Sequence, residues 1–190
     1  MTRGVNTASS AVALIEVNAR SQSDSPCPAD ATPLASCLVS EPSLPLTGGC
    51  NCGAVRFEIS EPLLGSAYCH CRRCQRRTGT AASPSAAVKP GTFFIVSGED
   101  HIRRWNARDG TDKAFCGTCG SALFSQDPVN PEIINVRMGS FDGDPGLRPT
   151  GRVHVASAAA WEPIPDDGLI RLPGPLAGLD PRSTGPSDAA

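Results

Sequence analysis

The sequence predicts a mainly β domain with few short helical turns, and three observations predict it. Apolar and polar residues alternate over short stretches, with no sustained helical period. Those stretches are punctuated by 19 glycines and 18 prolines, as in a loop-rich fold. Seven of the nine cysteines fall in tight groups, which offer a staple to a core where aromatic residues are only 5% of the chain.

Taken in order, residues 1–45 read as a disordered N-terminal tail. Segments such as Ser21-Gln22-Ser23-Asp24-Ser25-Pro26 and Glu41-Pro42-Ser43 are rich in Ser and Pro and hold no period. Cys27 and Cys37 fall there and read as free thiols. Val55-Arg56-Phe57-Glu58-Ile59 alternates strictly, the mark of a half-buried strand. A short helical turn is expected from Arg72 to Arg77, ending near Gly79. Thr92 to Ser97 is a β-branched and aromatic run bounded by Gly91 and Gly98, and Leu123 and Phe124 read as strand. Ile134, Val136 and Met138 alternate with Asn135 and Arg137, as Val153 and Val155 do around His154. Pro173, Gly174, Pro175, Gly178 and Pro181 break any element in residues 171–190, a second disordered tail. Residues 46–170 remain as one zinc-binding domain.

Composition narrows the function classes. The net charge of −2 gives no global field that favours nucleic acid or an anionic membrane. No apolar run approaches the roughly 20 residues of a membrane span. The run from Ala11 to Ile15 stops at Glu16, too short for a signal-peptide core, so a cytoplasmic protein is expected. In that setting close-set cysteines point to metal rather than to disulfides, and C-x-C pairs bridge each other poorly.

Gly49-Cys50-Asn51-Cys52-Gly53 and Phe115-Cys116-Gly117-Thr118-Cys119-Gly120 each put two thiols on a tight turn. Glycine after the second cysteine suits a turn that needs positive φ. Brought together, Cys50, Cys52, Cys116 and Cys119 make a closed, tetrahedral structural zinc site. The competing reading is a redox pair at Cys116 and Cys119, but such pairs usually open a helix in a βαβ unit. Tyr68-Cys69-His70-Cys71-Arg72-Arg73-Cys74 places three more thiols within six residues. Three protein ligands leave the fourth position of a tetrahedral zinc to water or substrate, the pattern of a catalytic site. A substrate thiol suits that position, because zinc stabilises thiolate near neutral pH. Arg72, Arg73, Arg76 and Arg77 offset the negative charge of the three thiolates and can grip carboxylates bidentately, which makes them candidate substrate-binding residues. Two alternatives stay open: His70 or His154 closes the site as a fourth ligand, or the arginines meet phosphate. Between two ligands, the His70 side chain is expected to point away from the metal.

The order C-x-C-G, then C-H-C-x-x-C followed by Arg and Gly, then F-C-x-x-C-G-x-x-L-F, resembles the glutathione-dependent formaldehyde-activating enzyme family, which includes the centromere protein V relatives. Leu46-Thr47-Gly48-Gly49, His154 and Trp161-Glu162-Pro163-Ile164 extend the resemblance from Leu46 to Ile164. It implies a β-rich, Mss4-like fold of small sheets around zinc. It also implies carbon–sulfur lyase chemistry on the adduct of glutathione, or a similar thiol, with formaldehyde. Two zinc ions are implied, one structural at Cys50, Cys52, Cys116 and Cys119, and one at the catalytic trio Cys69, Cys71 and Cys74. The rival reading is a non-catalytic zinc module that binds a thiol, a protein or a nucleic acid.

Overall fold

Alternation in Arg56–Ile59 sends Phe57 and Ile59 into the interior and leaves Arg56 and Glu58 half-buried, so this segment forms a strand with one apolar face. In the computed structural model, which describes residues 42–106 and 110–175, that strand is one of eleven among the described residues. In chain order the elements are β1 (Leu46–Gly49), β2 (Arg56–Ile59), β3 (Gly65–Cys69), α1 (Arg72–Thr78), β4 (Ser83–Ala87) and β5 (Phe93–Ser97). They continue with β6 (Ile102–Trp105), β7 (Asp112–Cys116), β8 (Ala122–Gln126), β9 (Ile134–Arg137), β10 (Gly151–Val153) and β11 (Ile170–Arg171). Three short 3₁₀ turns complete the described elements. The protein is mainly β, as expected, and its one described α-helix is where the sequence puts it. Cys27 and Cys37 lie outside the described residues, as do residues 1–41 and 176–190 of the two expected tails.

Two sheets form. The smaller has the order β1-β2-β5 and the larger runs β11-β10-β3-β4-β9-β8-β7-β6. The larger sheet has two unlike faces, which follow from register. Ala86 faces Val136, Val136 faces Phe124 and Phe124 faces Ala114 across four adjacent strands, and all four are buried. This row packs on the smaller sheet, where Phe93 lies 5.0 Å from the Phe124 ring and 5.4 Å from Phe57. The tilted rings fill the core between sheets, each buried Phe or Ile side chain contributing roughly 1.5–3 kcal/mol.

Residues one step away along each strand point to the other face. Cys69 pairs with Ser83, Ser85 with Arg137, Asn135 with Ser125, and Ser125 with Lys113, so the second face is polar. Helix α1 contacts β4, and Arg77 of the helix donates to the Ala114 carbonyl of β7 at 2.7 Å. A register shift between Ala114 and Phe115 marks a bulge, and the adjacent Leu123 and Phe124 are both buried there.

At the far edge β10 runs parallel to both β3 and β11. Pairing does not stop at Ile170: Leu172 donates to Arg152, and Gly174 accepts from His154. Residues 171–174, placed by the sequence in a tail, are therefore tied to β10.

Candidate functional site

The chain after β1 turns sharply, with Gly53 donating to the Cys50 carbonyl at 3.1 Å, while Gly120 donates to the Cys116 carbonyl at 2.9 Å in the β7–β8 turn. Gly53 and Gly120 take φ of +78° and +77°, the left-handed backbone that favours glycine. The two turns bring Cys50, Cys52, Cys116 and Cys119 together, their sulfurs all within 4.8 Å of one another. Cys50 Sγ lies 3.5 Å from Cys52 Sγ, which lies 3.8 Å from Cys116 Sγ. A tetrahedral zinc with bonds of about 2.3 Å separates its sulfurs by about 3.8 Å, so the donor set fits that metal.

The surroundings favour thiolate at Cys50 and Cys119. Cys50 accepts from the Val55 N–H at 3.2 Å, and Cys119 lies 3.2 Å from the Ser121 hydroxyl. Burial pushes the Cys50 thiol up, but the hydrogen bonds from Val55, Cys52 and Cys116 outweigh it and the net shift is downward. Hydrogen bonds from the Ser121 side chain and backbone bring Cys119 down to about 5. The Ala54 backbone favours the Cys52 thiolate, yet the sulfurs of Cys50 and Cys119 prevail and push Cys52 up to about 12. A dication bound here would take the place of thiol protons.

Cys69 ends β3, Cys71 caps α1, and Cys74 sits in the first turn, so the trio is built by one strand-to-helix junction. Its sulfurs also lie within 4.8 Å of one another, and the Cys74 N–H donates to Cys71 Sγ at 3.4 Å. Hydrogen bonds from Cys69 and Cys74 drive the Cys71 thiol far down, with the charge of His154 adding to them. The same bonds to Cys71 and Cys74 drive Cys69 far up. Three thiols suit a zinc with one coordination position left for another ligand.

Neither histidine joins this group of donors. His70 turns away, as the sequence suggests, and is buried. Its Nε2 lies 3.4 Å from Arg152 Nη1, its N–H donates to Val153 and its carbonyl accepts from Gln75 Nε2 at 2.6 Å. Burial and then the Arg152 charge hold its pKa below the usual value. Arg152 in turn pairs with Asp167 at 2.5 Å and lies 4.6 Å over the Tyr68 ring. His154 takes a left-handed backbone (φ +58°), unusual for a residue with a side chain.

The four arginines separate. Arg73, Arg76 and Arg77 line a cleft of about 600 Å³ together with Trp105, Phe115, Gly120 and Ala122. Arg73 lies 6.0 Å from the Trp105 ring, and burial brings Arg77 down to about 10. Arg72 does not line the cleft; it donates to Gln75 Oε1 at 2.8 Å. Trp105, Phe115 and the Arg152–Asp167 pair were not visible as site residues. Strict pairing of Trp105 with Lys113 and of Arg103 with Phe115 places them beside α1, which no local motif indicates.

Comparison with known proteins bears on what this arrangement is for. A protein of Halomonas elongata named "Putative glutathione-dependent formaldehyde-activating enzyme" is 32% identical over 119 residues, 58% of this chain and 73% of the relative. A solved structure of a Rhodobacter sphaeroides protein is 27% identical, with a TM-score of 0.44 over 52% of this chain and 89% of that one. Residues 45–157, which include both cysteine groups, match the family described as "Glutathione-dependent formaldehyde-activating enzyme". With more than half of its length matched, the chain belongs to the glutathione-dependent formaldehyde-activating enzyme family.

Proposed function

We propose that this protein is a zinc-dependent carbon–sulfur lyase, working in the cytoplasm on the adduct of formaldehyde with glutathione or a similar small thiol. The observation that carries the reading is the trio Cys69, Cys71 and Cys74, three convergent thiols that neither His70 nor His154 completes. Zinc held by Cys69, Cys71 and Cys74 would supply Lewis acidity that keeps a thiol sulfur ionised near neutral pH. A second zinc, at Cys50, Cys52, Cys116 and Cys119, would be structural.

In the adduct, a hydroxymethyl group is bonded to sulfur. Its cleavage removes the O–H proton, forms the C=O bond of formaldehyde and breaks the C–S bond, and the sulfur takes up a proton. The reverse sequence makes the adduct. The His70 ring faces Arg152, with Nε2 3.4 Å from Arg152 Nη1, whereas the charge of His154 acts on Cys71, so His154 is the histidine placed to relay the proton. Arg73 and Arg76, on the cleft side of α1, orient the ligand by its carboxylates. Arg77 and Trp105 line the same cleft.

The test is the rate of exchange between free formaldehyde and its glutathione adduct, read by NMR with zinc-loaded protein. Acceleration over buffer that Cys71→Ser abolishes is expected. An exchange rate equal to that of buffer, with glutathione still bound, would leave the non-catalytic module as the function.

A further inference from the structure

The polar face of the larger sheet gathers three cations, two of which the chemistry above does not use. Lys113 and Arg137 are 7% and 6% exposed, and Arg77 reaches down to them from α1. Lys113 and Arg137 meet at one hydroxyl, Ser125 Oγ, at 3.1 Å and 2.9 Å. Their other partners are neutral too: Thr111 for Lys113, Ser83 for Arg137, and the Ala114 carbonyl for Arg77. Among the described residues no carboxylate pairs with any of the three. Arg77 Nη1 and Arg137 Nε are buried with no acceptor. Burial and the neighbouring Arg137 bring Lys113 down to about 8, as expected of cations crowded out of water.

Buried charges are costly unless matched, and matched is what these are not. The negative charge of the trio acts on Lys113 and Arg77, through Cys74 and, for Lys113, Cys69. A dication bound by three thiolates has a net charge of −1, which leaves three cations under-compensated. Cys69 pairs with Ser83, whose hydroxyl holds Arg137, so the cations begin two strands away from the trio, about 10 Å at the usual spacing. The cluster also lies between two openings. Arg77 lines the cleft beside Trp105, Arg137 lines a second cleft of about 490 Å³, and Ala122 borders both.

We propose that Arg77, Lys113 and Arg137 form a carboxylate-binding pocket beneath α1, which seats one carboxylate of the thiol-bearing ligand while its sulfur lies at the trio. The assignment rests on the reading of the trio as a thiol site. A carboxylate has about four acceptor positions, enough to engage the Arg77 and Arg137 N–H groups that lack acceptors and the Lys113 ammonium. It supplies the charge that the trio does not.

Calorimetric titration of the zinc-loaded full chain with glutathione and with its diethyl ester tests the pocket, since the ester keeps the thiol and loses both carboxylates. Glutathione should bind at least about tenfold more tightly than the ester. Lys113→Met, and separately the less buried Arg77→Met, should shrink that difference to the part that Arg73 and Arg76 supply and leave the affinity for the ester unchanged. Equal affinities in the parent protein, or a variant that weakens both ligands by the same factor, would overturn the proposal. If neither thiol binds, the proposed function fails, and acetate then probes the pocket alone. A saturable rise in Tm with acetate that Lys113→Met removes supports the pocket, and no such rise overturns it.

Discussion

A serine at position 71 keeps what the helix needs and removes what a soft metal needs. Cys71 caps α1 with its Sγ accepting from the Cys74 N–H, and serine is among the best residues for that role. Cys71→Ser should therefore stay folded with a melting curve close to that of the parent, while it loses the metal at the trio. Cys119→Ser removes one of the four proposed zinc ligands that join the β1–β2 turn to the β7–β8 turn, and metal-binding energy there would be folding energy. That variant should be insoluble or unfolded. Circular dichroism melts and zinc content measured on both proteins decide the matter, and equal damage from the two substitutions would refute the division into structural and open sites.

Among elements, the end of β9 shows how the smaller sheet is fastened, and with what pH dependence. Asp142, just beyond β9, accepts from Arg56 of β2 at 2.9 Å and from the Thr47 hydroxyl of β1 at 2.6 Å. The Arg56 hydrogen bonds, followed by Thr47, hold its carboxyl below the usual range. A carboxylate whose folded pKa is depressed adds stability above its unfolded value of about 3.9, and that stability is lost as pH falls through the folded value. Thermal melts between pH 6 and pH 3 should show a smaller acid loss for Asp142→Asn than for the parent. The same scale shows what was legible in the sequence. β2, β5 and β9 alternate or carry β-branched runs, and all three form. β4 reads Ser-Pro-Ser-Ala-Ala and is a strand only because β3 and β9 pair with it on either side. The cysteine groups announce themselves because their ligands are close in sequence. Lys113 and Arg137 did not, because an alternating strand looks the same whether its polar side meets water or, as here, a helix.

For the whole molecule, the prediction is two metals held unequally. Four thiols close one group and three leave the other open, so a mild chelator should take the metal of the trio first and leave the fold intact. Zinc release followed alongside circular dichroism checks this, and loss of both metals in a single unfolding step would refute it. The two groups also differ in how much of the chain they span. Cys69, Cys71 and Cys74 come from one junction, whereas 64 residues separate Cys52 from Cys116. During synthesis at about 5–20 residues per second, the trio leaves the ribosome complete, while Cys50 and Cys52 wait roughly 3–13 s for their partners. The newborn chain thus passes through an interval with one cysteine group complete and the other half made, Cys50 and Cys52 open to oxidants and to stray metal until the β7–β8 turn arrives.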